Sequence, residues 1–265
     1  MVTCKTNVLI TGAAGRIGKA LRQGLDKSRF NLILTDIFPE LDVTEEERYY
    51  PADITDTKSL AACFENIDAV VHLAGTPNSQ DWATVLDLNV RGAQNVMDLA
   101  VQSGVKKIVY ASSVHAIGLY GTDVCFTESM PTQADSLYGF SKVAGEELLR
   151  LKCVKEGVNG YALRIFNFQD KPEYRRDLLT WISARDICRL VESCLLDNTD
   201  GFHVLYGVSN NSRFNLSNPT AEKIGYSPLD SADDYLEAIE AIPPEEDPTS
   251  HFTLIGGRFA DKNFR

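Results

Sequence analysis

The sequence predicts an α/β fold: a doubly wound, mostly parallel sheet with helices on both faces and a small C-terminal cap. Three observations carry this expectation. Residues 7–11 form an apolar, β-branched run that passes through Thr11-Gly12-Ala13-Ala14-Gly15-Arg16-Ile17-Gly18 into helix-spaced apolar positions at Ile17, Leu21 and Leu25, the pattern of a strand, a tight turn and a helix. Strand-like and helix-like segments then alternate five times, which implies parallel strands joined by right-handed crossovers. The run Ala69-Val70-Val71-His72-Leu73-Ala74-Gly75 is apolar almost without interruption, as strands buried on both faces are.

Each glycine of the first turn has a physical job. Gly12 permits a sharp exit from the strand, Gly15 lets the backbone approach a pyrophosphate, and Gly18 lets the helix lie close to the sheet. The helix N-terminus then offers unpaired N–H groups to an anion. The stretch reads as a dinucleotide-binding turn with GxxGxxG spacing.

At 265 residues the chain has room for one large α/β domain with an appendage or for two small domains. With 26 Lys and Arg against 37 Asp and Glu, its net charge is -11. That balance excludes a nucleic-acid or anionic-membrane surface as the main business of the chain. Cys4, Cys63, Cys125, Cys153, Cys188 and Cys194 are scattered without a CxxC pair and read as free thiols of a cytoplasmic protein. Cys188 and Cys194 lack nearby His partners and are expected in the core, and no metal cluster is expected. No apolar run approaches the roughly 20 residues that span a bilayer.

The elements follow in order. Phe30–Asp36 reads as a second strand ending in an acid, placed where a carboxylate accepts hydrogen bonds from the adenosine ribose and repels a 2′-phosphate. Asp36 therefore favours NAD over NADP. Residues 49–54 read as a third strand with Asp53 near its end, in reach of an adenine amino group, and residues 55–64 as a helix. His72 within the fourth strand is expected to be a hydrogen-bonded core residue. Residues 81–102 carry a continuous helical period closed by Gly104, with Asn89 as a polar residue inside it. Lys107–Ser113 is the fifth strand. Ligands of such sheets bind outside the carboxyl ends of the strands, so Gly12, Asp36, Gly75 and Ser113 should meet at one crevice. Further on, residues 201–209 read as a strand and residues 220–224 and 231–241 as helices of the cap. The acidic Pro243-Pro244-Glu245-Glu246-Asp247-Pro248 reads as a surface linker.

Tyr138 and Lys142 stand four apart in the next helical segment, so they share a face one turn from each other. An ammonium beside a phenol favours the phenolate, which makes Tyr138 a candidate general base. With this pair the chain resembles the short-chain dehydrogenase/reductase superfamily, in its extended, epimerase-like branch. The likeness rests on the glycine turn, Asp36, Asp53-Ile54, Leu73-Ala74-Gly75, Ser112-Ser113 and Tyr138-Gly139-Phe140-Ser141-Lys142. Within that branch it is similar to uronate dehydrogenases, through Tyr110–Gly118, Leu163-Arg164-Ile165, Tyr174-Arg175-Arg176, Thr180-Trp181, Leu205–Ser209 and Gly256-Gly257-Arg258-Phe259.

The resemblance implies a Rossmann core over 1–165 and substrate-binding segments with a cap over 166–265, interleaved as one unit. It implies NAD contacts from Gly12, Gly15, Arg16, Ile17, Asp36, Asp53, Ile54, Leu73, Ala74, Gly75, Asn89, Ser112, Tyr138, Lys142 and Ile165. Ser113, Tyr138 and Lys142 are the implied catalytic group, and Ser113, His115, Tyr138, Asn167 and Arg176 the implied sugar contacts. Arg176, ahead of Arg175, takes the place of an arginine that holds a substrate carboxylate. The implied chemistry is oxidation of a sugar at C1, with the hydroxyl proton going to Tyr138, the hydride to NAD, and a lactone as product.

Three positions depart from the uronate dehydrogenase pattern: Val114, Asn167 and Pro77 stand where those enzymes use asparagine, serine and serine. The sugar-binding shell is thus altered. Alternatives are a dehydrogenase of a sugar phosphate or another C6-modified hexose, a nucleotide-sugar epimerase or dehydratase, and a nonenzymatic NAD-binding regulator. The resemblance also implies a homo-oligomer associating through helices such as 81–102 and 138–152.

Overall fold

The computed structural model describes residues 5–77 and 81–262. Seven strands form the main sheet: β1 (Thr6–Thr11), β2 (Phe30–Asp36), β3 (Glu47–Pro51), β4 (Ala69–His72), β5 (Lys107–Ser113), β7 (Asn159–Ile165) and β10 (Phe202–Gly207). Pairs of two-residue strands lie outside it, β6 (Phe126–Thr127) with β11 (Leu216–Ser217) and β8 (Asn167–Phe168) with β9 (Trp181–Ile182). Across the main sheet the order is β10-β7-β5-β4-β1-β2-β3, and every pairing is parallel. The strand order reverses between β1 and β4, the point where a doubly wound sheet opens its ligand crevice.

Helices cover both faces: α1 (Arg16–Gly24), α2 (Thr57–Ala61), α3 (Trp82–Val85), α4 (Gly92–Gln102), α5 (Leu137–Glu156), α6 (Asp177–Thr180), α7 (Ala184–Leu196), α8 (Pro219–Lys223) and α9 (Leu236–Glu240). Alternate side chains of β1 divide between the two faces. Val8 and Ile10 join a cluster with Leu21 of α1 and Ile187 and Val191 of α7, while Leu9 joins one with Val96 and Met97 of α4. Burying an aliphatic side chain of this kind contributes about 1.5–3 kcal/mol, so the two layers hold the strand ends, and with them the crevice, in fixed register. Cys188 and Cys194 lie in the first cluster as expected of core thiols. Cys63, Cys125, Cys153, Cys188 and Cys194 are unpaired, and Cys4 lies outside the described residues.

Several sequence expectations need correction. The third strand runs over Glu47–Pro51 and not to Ile54, because its ladder follows β2 only as far as Asp36 opposite Pro51. The helix expected over 55–64 is α2, capped by the Asp56 carboxylate, followed by a 3₁₀ turn at Ala62–Phe64. The helix expected over 81–102 is interrupted: Leu86–Arg91 is a π-helical segment between α3 and α4. Such bulges let a side chain leave the helical register to serve a site, and here that side chain is Asn89. The helix expected over 231–241 is a 3₁₀ turn, Ala232–Tyr235, leading into α9.

The acidic stretch at 243–248 is more than a surface linker. Asp247 is 2% exposed. Its carboxylate accepts the main-chain N–H of Arg175 at 3.1 Å, the Arg175 guanidinium at 3.2 Å and the Thr249 hydroxyl at 2.7 Å. A buried carboxylate is tolerated because it is paired and hydrogen-bonded, and through it the C-terminal residues are fastened to the segment ahead of α6.

Candidate active site

The end of β1, the glycine turn and α1 build the floor. Gly12 adopts φ +72° and Gly75 φ +151°, conformations glycine reaches without strain. A Cβ on Gly12 would stand 2.7 Å from the Ala74 nitrogen, so the two loops touch through a hydrogen-only position. Helix α1 starts at Gly15 with no side-chain cap and no acidic residue in its first turn, leaving its positive end free for an anion. These features fit a dinucleotide pyrophosphate.

Two adjoining cavities share Gly12, Gly15, Leu73 and Gly75 as lining. One, of about 410 Å³, is reached by Asp36, Asp53, Ile54 and Ala74. The Asp36 carboxylate accepts the N–H of Ala14 at 2.9 Å and that of Ile37 at 2.8 Å, so it braces the glycine turn as well as facing the groove. From Asp36 to Thr44 no Lys or Arg occurs, which leaves a 2′-phosphate without a counter-charge. Exposed Ile37 and Phe38 also border this cavity and carried no sequence signal.

The other cavity, of about 340 Å³, is lined by Arg16, Ile17, Ser113, Tyr138, Lys142 and Ile165 among others. Ser113 ends β5 and Tyr138 and Lys142 lie in the first turns of α5, whose N-cap Ser136 accepts the Gly139 N–H at 3.0 Å. Lys142 is 5% exposed, and its Nζ donates to the Ala111 carbonyl at 2.8 Å and lies 5.5 Å from the Tyr138 ring centroid. Burial draws its pKa down to about 8. Burial likewise pushes the Tyr138 phenol up to about 12, against a lowering hydrogen bond with Ser113 and with a small further push from the Asp135 charge. The expected lowering of the phenol by its lysine neighbour is therefore not what the protein alone displays: desolvation of the phenolate outweighs the lowering hydrogen bond with Ser113.

Asn89 is placed differently from expectation and does not line either cavity. Its amide donates to the Thr76 carbonyl at 2.9 Å and to Ser141 Oγ at 3.0 Å, and its oxygen accepts the Thr76 N–H at 2.8 Å. It is a strut beneath the loop that carries Gly75. Ser112 lines the cavity with Ser113, and its hydroxyl donates to the Glu146 carboxylate at 2.5 Å, which in turn holds Arg164 through two hydrogen bonds of 3.0 and 2.9 Å in a buried pair. His72 is a core residue as expected, bonded to Thr11 Oγ1 at 2.7 Å, and burial pulls its pKa down to about 3.

His115, Asn167 and Arg176 are not part of the smaller cavity's wall. The His115 ring meets the Tyr138 ring edge-on at 5.6 Å. Asn167 is turned to the Asp177 carboxylate at 2.6 Å. Arg176 gives one Nη to the Ile255 carbonyl at 2.6 Å, and its buried Nε has no hydrogen-bond partner among the described residues. Burial lowers its pKa, opposed by the charges of Asp177 and Asp135. Of the three departures, Pro77 lines the cavity, whereas Val114 packs in a core cluster with Ile117, Phe126 and Phe166. Phe166 and Phe168 complete the cavity wall. They follow the β7 strand end directly, and that position was the one available sequence signal for them.

Comparison with known proteins agrees with this geometry. Residues 8–193 match the family described as "NAD dependent epimerase/dehydratase family". The uronate dehydrogenase of Pseudomonas syringae pv. tomato is 32% identical over 262 residues, covering 96% of this chain and 95% of that one. The NAD-dependent glucose-6-phosphate dehydrogenase of Haloferax volcanii is 33% identical, covering 90% and 98%. Among solved structures, a mutant uronate dehydrogenase from Agrobacterium tumefaciens complexed with NAD superposes with a TM-score of 0.91 at 30% identity, covering 99% of both chains.

Proposed function

Because this chain belongs to the NAD dependent epimerase/dehydratase family and is an NAD-dependent oxidoreductase acting on a sugar CH–OH group, we propose that it oxidises C1 of an aldose to the lactone. The aldose is an anionic hexose such as a uronate. The observation that carries this reading is the convergence of Ser113, Tyr138 and Lys142 on one cavity whose floor is the glycine turn.

Bound NAD supplies the hydride acceptor. Gly12, Gly15 and the first turn of α1, with Arg16 and Ile17, would hold its pyrophosphate. Asp36 would take the adenosine ribose, Asp53 and Ile54 the adenine, and Leu73, Ala74, Gly75, the Ser112 main chain and Ile165 would border the rest. Ser113 and Tyr138 hold the C1 hydroxyl, and Tyr138 takes its proton. Lys142, held over the ring by the Ala111 carbonyl, stabilises the phenolate form of Tyr138 that accepts this proton and becomes the phenol. General-base assistance of this kind is worth about 10²–10⁴ in rate, and holding the sugar in line for reaction adds more.

Arg176 holds the anionic group at the far end of the sugar, with Asn167 and His115 as further sugar contacts. Its unpartnered Nε supports this role, since a guanidinium fork suits a carboxylate or a phosphate. A sugar phosphate is the second reading, favoured by the same free donor and by likeness to a glucose-6-phosphate dehydrogenase.

Incubation with NAD and a panel of free aldoses, uronates, hexose phosphates and nucleotide sugars tests the proposal, with NADH absorbance and product NMR as readouts. NADH formation with a lactone from an acid sugar is expected. Conversion of a nucleotide sugar without net NADH overturns the proposal in favour of an epimerase, and absence of any conversion leaves an NAD-binding regulator.

A further inference from the structure

Beside the reacting groups lies a carboxylate that the proposed chemistry does not use. Asp135 precedes the N-cap of α5, and its side chain is wholly buried. One of its oxygens accepts the Ser136 hydroxyl at 2.7 Å, and the other meets Nδ1 of His115 at 2.7 Å. The space around it is closed. A Cβ on Gly118 or Gly256 would come within 1.8 or 2.0 Å of Oδ2, and one on Gly139 within 3.1 Å of Oδ1. Three separate segments thus surround this one group: the turn after residues 114–117, the C-terminal loop and the first turn of α5.

His115 carries the arrangement toward the site. Its ring lies against Phe259 with centroids 4.1 Å apart and edge-on to Tyr138. The side chain retains 14% exposure, and Nε2 is neither buried nor hydrogen-bonded among the described residues. A carboxylate has no proton to give, so the neutral imidazole must donate from Nδ1, which leaves the lone pair on Nε2.

We propose that Asp135 is a positioning residue: by accepting the Nδ1–H of His115 it fixes the tautomer whose bare Nε2 accepts a hydrogen bond from a ring hydroxyl of the sugar. Without Asp135 the proton is free to reside on Nε2, and the site then presents a donor where the substrate hydroxyl needs an acceptor. A fixed acceptor also discriminates, because a sugar lacking that hydroxyl leaves Nε2 unpaired. This inference rests on the sugar-dehydrogenase reading above and adds one group to that site.

The tautomer is measurable without turnover. In protein labelled with ¹⁵N-histidine, long-range ¹H–¹⁵N correlations distinguish the two tautomers, and His115→Ala identifies its signal among the four histidines. The expected result is the Nδ1–H form in the wild type and a mixture containing Nε2–H in Asp135→Ala. An Nε2–H form in the wild type overturns the proposal, and needs no variant to fold.

The kinetic arm uses the sugar that the wild type oxidises. Asp135→Ala and His115→Ala should each lower kcat/KM roughly tenfold, about the worth of one hydrogen bond. The double variant should fall no further than His115→Ala, with NADH affinity unchanged. Additive losses, or NADH binding lost in step with turnover, assign Asp135 a purely structural role and overturn the proposal. If the wild type oxidises no sugar, the previous reading falls and takes the hydroxyl contact with it. A wrong tautomer in an active wild type sinks the Asp135 proposal alone.

Discussion

The Nζ of Lys142 donates to the main-chain oxygen of Ala111 at 2.8 Å, which ties the ammonium to the same strand that ends in Ser113. The proposed base and its charge partner are therefore held by different elements, Tyr138 by the start of α5 and the lysine head group by β5. Their separation is set by how that helix packs on that strand.

A pH dependence follows from this pair. Lys142 stands at about 8 and Tyr138 at about 12, so as pH rises the first proton leaves near 8. Above that, one proton is shared between the pair, and phenolate with ammonium is one of its two arrangements. Because the active form has lost one proton, kcat/KM at saturating NAD is expected to climb about tenfold per pH unit below about 8 and then to level. In Lys142→Met that break should vanish and the rate keep climbing into the alkaline range. A wild-type profile flat from about pH 6 to about pH 10 rules out the phenolate base.

Tyr138→Phe removes the proton acceptor and little volume. Turnover should fall by about 10²–10⁴, while NADH binding, read by fluorescence titration, should stay close to wild type. Retained turnover at every pH would falsify the assignment of Tyr138.

The neighbouring arginines should separate cleanly. Arg175 spends its donors on Asp247 and on the carbonyls of Ile242 and Glu240, so Arg175→Ala should lower the thermal midpoint and affect all sugars alike. Arg176→Ala should raise KM for acidic or phosphorylated sugars by about ten- to a hundredfold, the worth of a charge-assisted hydrogen bond. Neutral aldoses should be affected little. Equal losses on neutral and anionic sugars remove the clamp.

Glu146 and Arg164 form a pair only 3–4% exposed. Removing one partner strands a buried charge, so Arg164→Met or Glu146→Gln should cost about 3–5 kcal/mol in urea unfolding. Replacing both by apolar residues of similar size should cost less than the sum of the single changes. Ser112 loses its acceptor when Glu146 is replaced by an apolar residue, so altered activity should accompany the stability loss in the double variant.

Asp36→Ala removes a negative charge from the groove and the acceptor for Ala14 N–H. NAD affinity is expected to fall about ten- to a hundredfold, the worth of one charge-assisted hydrogen bond, and the preference against NADP to shrink. Calorimetric titration with both dinucleotides checks this.

Much of the site was legible because its signals are local. The Gly12, Gly15 and Gly18 spacing, the acid at the end of β2 and the one-turn step from Tyr138 to Lys142 each lie within a single element or a single turn. Residues facing across elements were less legible. Asn89 looked like a polar position in a regular helix, and only the π segment explains why its side chain reaches Thr76. Asp247 sits in a stretch with the composition of a solvated linker, and its burial depends on Arg175, 72 positions away. Asp135 and His115 are 20 positions apart and meet only because the turn after β5 folds back on the start of α5.

By itself the sequence determined the sheet, the glycine turn and the shared helical face of Tyr138 and Lys142, because periodicity, glycine spacing and i,i+4 steps are properties of short stretches that hold wherever the chain goes next. Only the tertiary structure decided the protonation balance of Tyr138 and Lys142, the partners of Ser112, Asn167 and Arg176, and the hold of Asp135 on His115. Those depend on desolvation and on which segment closes over which, and both arise when strand ends, helix start and C-terminal loop are packed together.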